Sequence, residues 1–425
     1  MRILARVLTL AAGLLLASSV AALDPGMVER IESLEFGDTV KIDLMPIGAE
    51  RLAGVEFQRI ALYAEGASVS VLDNGATRVL PRDHRIFLIG QTPVDPRVRV
   101  VLAGTRGQIG SWRGGIYGAA GFEELRFYED DGRYFSRAYS VQDLLPEGVE
   151  LDSTCSNDDY AALRGPGEEV FGTAGRSNLR GSVLRLGVLA IDTDKEWLDR
   201  RFSDDVDAAA AYNEELLLIA NGLFESQLNL RMQLGDMFLR VGSDPYPEAD
   251  SGAGGAELNE FGSYWEENYS GIQRTHAAMI SGRSGSQNSA SGIAWVNSYC
   301  RNESGGGSYS YNQLFRNPSL GPSRSAGLFA HEIGHNLGSR HTHCYNPPID
   351  QCYASESGCY SGPVSCPVGG SGTLMSYCHF SSACGGSIQL DLAPRVMTQI
   401  SGRIAENFPN CITQDTGLFA DRFEG

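Results

Sequence analysis

His331-Glu332-Ile333-Gly334-His335-Asn336-Leu337-Gly338-Ser339-Arg340-His341 reads H-E-x-x-H-x-x-G-x-x-H, and the rest of the chain is best read outward from it. Side chains four apart on a helix lie one turn above the other. His331 and His335 therefore bring two imidazole nitrogens within reach of one metal ion. A continuing helix would rotate His341 well away from them. Gly338 resolves this, because glycine takes the left-handed conformation that ends a helix and turns the chain back. The third histidine can then close a three-nitrogen site with an open fourth position, the ligand set of a catalytic rather than a structural zinc.

The helix that carries the motif has the required two faces. Phe329, Ile333 and Leu337 recur every fourth position as an apolar stripe. His331 and His335 point about 200° round from Ile333 and Leu337 by the helical period. The stripe is expected on a core and the histidines in a cleft. Ser323 or Ser325 is the expected cap. Glu332, beside the first ligand, is placed to take a proton from an attacking water. A bare H-E-x-x-H also arises by chance in a core helix with satisfied histidines; the glycine and third histidine make that reading the weaker one.

The eleven-residue pattern resembles the metzincin zinc endopeptidases, and His331-Glu332-Ile333-Gly334-His335-Asn336-Leu337-Gly338 is most similar to their reprolysin (adamalysin) branch. A second metzincin mark lies at Gly372-Thr373-Leu374-Met375-Ser376-Tyr377, where Met375 corresponds to the methionine of the Met-turn beneath the metal. The resemblance covers about residues 180 to 412. It departs from the reprolysin pattern at Thr342, where that branch usually has an acidic residue. Met375-Ser376-Tyr377 is closer to the astacin and serralysin branches, where the tyrosine can approach the metal; Tyr377 is on that ground a candidate support for the transition state.

The resemblance implies an α/β (α+β) metzincin-like catalytic domain with a twisted mixed sheet and a zinc helix, preceded by a β-rich propeptide-like domain. It implies one catalytic Zn2+ on His331, His335 and His341, Glu332 as general base, a polypeptide substrate and zymogen synthesis. It also allows for calcium as a support of the fold, although no continuous calcium loop is present. The strand at Gly292, Ile293 and Ala294 corresponds to the sheet edge that lines the cleft, to which an extended peptide can add by main-chain hydrogen bonds. By the same analogy Cys300 pairs with Cys411.

Residues 1–22 read as a secretory signal. Arg2 and Arg6 precede an apolar run from Val7 to Leu16, and small residues put cleavage after Ala21 or Ala22. That run is too short for an ordinary membrane span and no later stretch is long enough. The expected product is secreted, with no membrane span, and monomeric. Within the tail, residues 413–425, the stretch Leu418-Phe419-Ala420-Asp421-Arg422-Phe423-Glu424-Gly425 loosely resembles short C-terminal tags of some bacterial exported proteins. A net charge of −18 fits an extracellular protein and argues against nucleic-acid binding.

Nine cysteines are too many for a reducing cytosol unless they bind metal. Eight lie from Cys300 onward and can form four disulfides; Cys155 stands apart. It lies in a Gly-, Ser- and Asp-rich linker, residues 151–180, where Arg176 and Arg180 flank a candidate processing point, although ordinary surface arginines look the same. A thiolate there suits the open fourth position of a zinc site, so Cys155 is a candidate cysteine switch. His343 and His379 are read as non-ligands, because three histidines already complete the site. His84 is read as structural.

Residues 23–150 read as β-rich: Val40, Ile42 and Leu44 alternate, as do Val98, Val100 and Leu102, and Asp131-Gly132 marks a hairpin between two aromatic runs. A propeptide is the expected role; a permanent binding module is the alternative. In residues 181–412, strands are expected near Leu184–Ala190, Leu228–Leu234, Ala278–Ile280 and Gly292–Val296. Helices are expected near Asp204–Leu223 and Leu392–Phe408. Two other function classes fit parts of the sequence: a zinc-containing binding or adhesion protein of weak activity, and a zinc hydrolase acting on a non-peptide amide.

Overall fold

The computed structural model describes residues 20–48, 51–118, 121–140, 144–145, 149–155, 184–247, 252–303, 305–368, 370–380, 384 and 389–415. Residues 1–19 of the expected signal, Arg176, Arg180 and most of the tail lie outside these residues, whereas residues 20–22 of the expected signal fall within β1.

The first part of the chain carries β1 (Val20–Leu23), α1 (Pro25–Ser33), β2 (Thr39–Pro46), β3 (Leu52–Arg59), β4 (Val69–Asp73), β5 (Ala76–Val79), β6 (Arg85–Thr92), β7 (Asp95–Thr105), β8 (Arg113–Gly118), β9 (Gly121–Asp130) and β10 (Arg133–Ser140). Asp152–Cys155 forms β11. Then come β12 (Arg185–Thr193), α2 (Lys195–Phe202), α3 (Val206–Leu228), β13 (Leu230–Val241), α4 (Gly255–Tyr269), β14 (His276–Ser281), β15 (Ser289–Ala294), β16 (Tyr309–Gln313), α5 (Pro322–Asn336), α6 (Pro394–Asn407) and β17 (Thr413–Gln414).

An eight-stranded antiparallel sheet runs β1-β10-β9-β8-β7-β6-β3-β2. The Asp131-Gly132 turn joins β9 to β10 as expected, with positive φ at both residues. Val40 and Ile42 are buried, but a bulge between Ile42 and Met45 turns Leu44 outward and Met45 inward. On β7, Val98, Val100 and Leu102 face one core while Val101 and Ala103 face another. Burial on both sides explains why Val101 interrupts the alternation.

The second sheet runs β11-β15-β16-β14-β12-β13-β4-β5, with β17 on β12. It is mixed: β15–β16, β4–β5 and β12–β17 pair antiparallel, the others parallel. Residues 23–150 thus do not close on themselves. Their β4 and β5 belong to the sheet of the later segment, and Ile60, Leu62, Val69, Val71, Phe87 and Tyr117 share a core with α3, α5 and α6.

The helix with the histidines is α5. Its Phe329, Ile333 and Leu337 are buried in that shared core, as the stripe predicts. The cap differs from expectation. Gly321 is N-cap with Pro322 in the first turn. Ser323 bonds to Glu124 instead, and Ser325 accepts from Tyr212 at 2.9 Å. Gly338 has φ +107°, the left-handed turn that the motif requires.

The eight later cysteines pair as Cys300–Cys411, Cys344–Cys359, Cys352–Cys378 and Cys366–Cys384. The first is the pair that the resemblance implies. The other three cross-link a stretch without regular periodicity, where disulfides constrain what a small core does not.

Candidate metal centre

His331, His335 and His341 are almost fully buried and converge at the end of α5. Each is held from its outer side. His331 Nδ1 donates to the Leu374 carbonyl at 2.7 Å, His335 Nδ1 to the Ser339 carbonyl at 2.9 Å, and His341 Nδ1 to Glu356 Oε2 at 2.7 Å. A proton on each Nδ1 leaves each Nε2 lone pair directed inward. His335 Nε2 and His341 Nε2 approach to 3.2 Å, and His331 Nε2 has no hydrogen-bond partner. Burial, reinforced by the neighbouring imidazoles, lowers the His331 pKa to about 3 and depresses His335 in the same way, so both rings are neutral.

The fourth member of the cluster is Cys155. The ligand atoms of Cys155, His331, His335 and His341 all lie within 4.8 Å of one another, and Cys155 Sγ is 3.7 Å from His335 Nε2. Three imidazole nitrogens and one thiol are a donor set that suits a tetrahedral zinc ion. The orphaned His331 Nε2 is what such an ion would satisfy.

Cys155 arrives there on β11, which pairs in parallel with β15: Asp152 lies opposite Ser289 and Cys155 opposite Gly292. β11 therefore pairs with the edge of β15 up to Gly292, the first of the three residues, Gly292, Ile293 and Ala294, expected to receive a peptide. Gly292 also makes room for Glu332. A Cβ at this position would lie 2.3 Å from Glu332 Oε1. Neither Glu332 oxygen has a hydrogen-bond donor at ordinary distance. Burial pushes this carboxyl up to about 8, with the nearby Cys155 thiol working against the rise.

Met375 is buried under the helix, and a Cβ at Gly334 would lie 2.7 Å from its sulfur. Met375 O accepts from Thr342 N at 2.9 Å, which ties this turn to the segment after His341. Tyr377 packs its ring against His341, with centroids 3.9 Å apart, and donates its hydroxyl to the Cys155 carbonyl at 2.8 Å. Asn336 donates to Trp295 O at 2.7 Å, Ser298 Oγ at 2.9 Å and Tyr309 O at 3.0 Å, and so locks α5 to β15 and β16.

Sequence reading missed Glu356. It is buried and also lies 2.8 Å from His343 Nε2, so His343 backs the site through a carboxylate. Burial tends to raise the Glu356 carboxyl, but its bonds to His341 and His343 outweigh that and hold it well below the usual carboxylate range. The sole hint was the missing acid at 342. His379 bonds the Ser153 and Ser376 backbone. Two other groupings of ligand-type residues, His341-His343-Cys344-Glu356 and Asp350-Cys352-Cys378, include disulfide-bonded cysteines. Calcium finds no support among the described residues.

The helix ending in a glycine turn, the buried Met375 below it and the three inward imidazoles are the arrangement that the metzincin resemblance implies. Residues 185–384 match the family model Reprolysin_5, Metallo-peptidase family M12, and over this span the chain is a reprolysin-like metzincin. Among solved structures the chain is similar to the crystal structure of metalloproteinase-II from Bacteroides fragilis, with 10% identity over 89% of this chain and 94% of that one and a TM-score of 0.36; a likeness at that level carries no argument. No curated protein matches the chain.

Proposed function

We propose that the chain is a secreted zinc endopeptidase made as a zymogen. The observation that carries this is the set of three outward-anchored histidines around one point, with the buried carboxylate of Glu332 beside it. His331, His335 and His341 would hold the ion. When bound, zinc supplies Lewis-acid activation of water and of a carbonyl group. Glu332 takes a proton from the attacking water and returns it to the leaving amine. Tyr377 offers its hydroxyl to the oxyanion that develops on the substrate. Gly292, Ile293 and Ala294 hold the substrate backbone in extended form, and Met375 supports His331 and α5 from below.

In the precursor, Cys155 would fill the fourth ligand position while β11 fills the peptide edge and takes the Tyr377 hydroxyl. That an extended segment of main chain lies on β15 supports a peptide substrate over a small amide. Four disulfides fit export, and no helix among the described residues is long and apolar enough to cross a membrane.

The test is hydrolysis of an unstructured protein such as casein by the processed enzyme, with and without a zinc chelator. Cleavage abolished by chelation and restored by zinc is the expected result. A zinc-loaded, processed protein that leaves peptides intact but hydrolyses small amides would overturn the peptide assignment.

A further inference from the structure

We infer that residues 23–140 are a permanent partner of the metallopeptidase segment, held by a core-like interface, and that cutting the connector yields a two-chain particle. The inference rests on the zymogen reading only in taking the connector as the place where the chain is cut.

The first ground is main-chain pairing. β4 lies parallel to the outer edge of β13, with Val69 opposite Met237 and Asp73 opposite Val241. The pairing extends upstream. Leu234 N donates to Leu62 O at 2.7 Å, Ala64 N to Leu234 O at 2.8 Å and Met237 N to Ser68 O at 2.8 Å. Departure of the N-terminal region would leave β13 as a long apolar edge with open donors and acceptors, the kind of edge that proteins keep covered.

The second ground is α3, which has buried side chains on all its faces. A helix without a polar face belongs between two layers. One side of α3 meets β13 and α5; the other meets β7 and β8 of the N-terminal region. Gly222 shows how closely they fit, since a Cβ there would lie 2.4 Å from the Tyr117 ring. Tyr117 also donates its hydroxyl to the Ile219 carbonyl.

The third ground is charge. Glu214 on α3 has no exposed surface. It accepts from Tyr63 at 2.5 Å, from Arg82 at 2.7 and 2.8 Å and from Arg85 at 2.7 Å, and all three come from the N-terminal region. Charge-assisted bonds at the centre of an apolar contact mark an interface that resembles a domain core cut in half, as in obligate complexes. By contrast, among the described residues the strand paired to the outer edge of β15 is the four-residue Asp152–Cys155. Among the described residues, those that pair along the cleft edge of β15 belong to β11 and not to residues 23–140.

The test uses the full chain with Glu332→Gln to prevent self-digestion. Recognition sequences for one site-specific protease are inserted on both sides of β11, between residues 140 and 149 and between 156 and 183, so that β11 is excised. Native mass spectrometry and gel filtration in non-denaturing buffer read the outcome, which does not depend on hydrolysis by the protein itself. The expected result is a one-to-one particle of both fragments that separates only in denaturant. Hydrogen exchange along residues 234–241 should stay as slow as in the uncut chain. Release of the N-terminal fragment in buffer, or loss of that protection, overturns the inference.

Discussion

The carboxylate of Glu356 accepts a hydrogen bond from His341 Nδ1 at 2.7 Å, so the orientation of the third histidine depends on a residue fifteen positions away in a disulfide-bonded loop. A carboxylate behind a histidine fixes its tautomer and raises its basicity as a ligand. Glu356→Ala is expected to weaken zinc binding by roughly 10- to 100-fold, measured by competition with a chromogenic chelator. Glu356→Gln, which can still accept through its amide oxygen, should lose less. Unchanged zinc affinity in both variants would show that the Glu356 contact does not position His341.

Cys155→Ala should release latency. With the sulfur gone from beside His335, the uncut precursor is expected to cleave a peptide that the wild-type precursor leaves intact. Mercurial reagents should activate the wild type alone. An alanine precursor as silent as the wild type would place inhibition in the β11–β15 pairing and not in the thiol.

Gly292→Ala puts a methyl group into the space of the Glu332 carboxylate. The prediction is a fall in kcat of at least about tenfold, as expected when a general base is misplaced. Zinc content should be unchanged, because no ligand moves. Wild-type kcat in the variant would mean that Glu332 has another position available.

Buried His276 gives a pH dependence away from the metal centre. Burial, then the nearby Arg274 charge, lowers its pKa to about 3, while Ser310 Oγ lies 3.1 Å from Nε2. A depressed histidine contributes stability above its unfolded pKa, near 6.5, and loses it as pH falls towards the folded value. Between pH 7 and pH 5 this group should cost about 2 kcal/mol. Urea denaturation of wild type and His276→Asn at both pH values reads the effect. The variant should lose less stability on acidification, whereas equal losses would count against a neutral buried imidazole.

What was legible in the sequence was local. The period of Phe329, Ile333 and Leu337 gives the face of α5, and Gly338 gives its end, because both follow from dihedrals and side-chain direction over a few residues. The strands near Leu184, Leu228, Ala278 and Gly292 were found for the same reason. Contacts set by long-range packing were not. Glu356 reaches His341 across a loop of no fixed period. Whether β4 joins the first sheet or the second depends on which edge is open in the folded chain. The Leu44 bulge inverts an alternation without any sign in composition, and the cap passed to Gly321 because Ser323 and Ser325 bond to distant residues.

The central claim is that Glu332 moves the proton while the three histidines hold the metal. Its most direct test is Glu332→Gln in the processed enzyme, with peptide turnover and zinc content measured on the same sample. The account predicts one equivalent of zinc and a loss of turnover of at least about 100-fold, the usual contribution of a positioned acid–base group. Full zinc occupancy with wild-type turnover would contradict it.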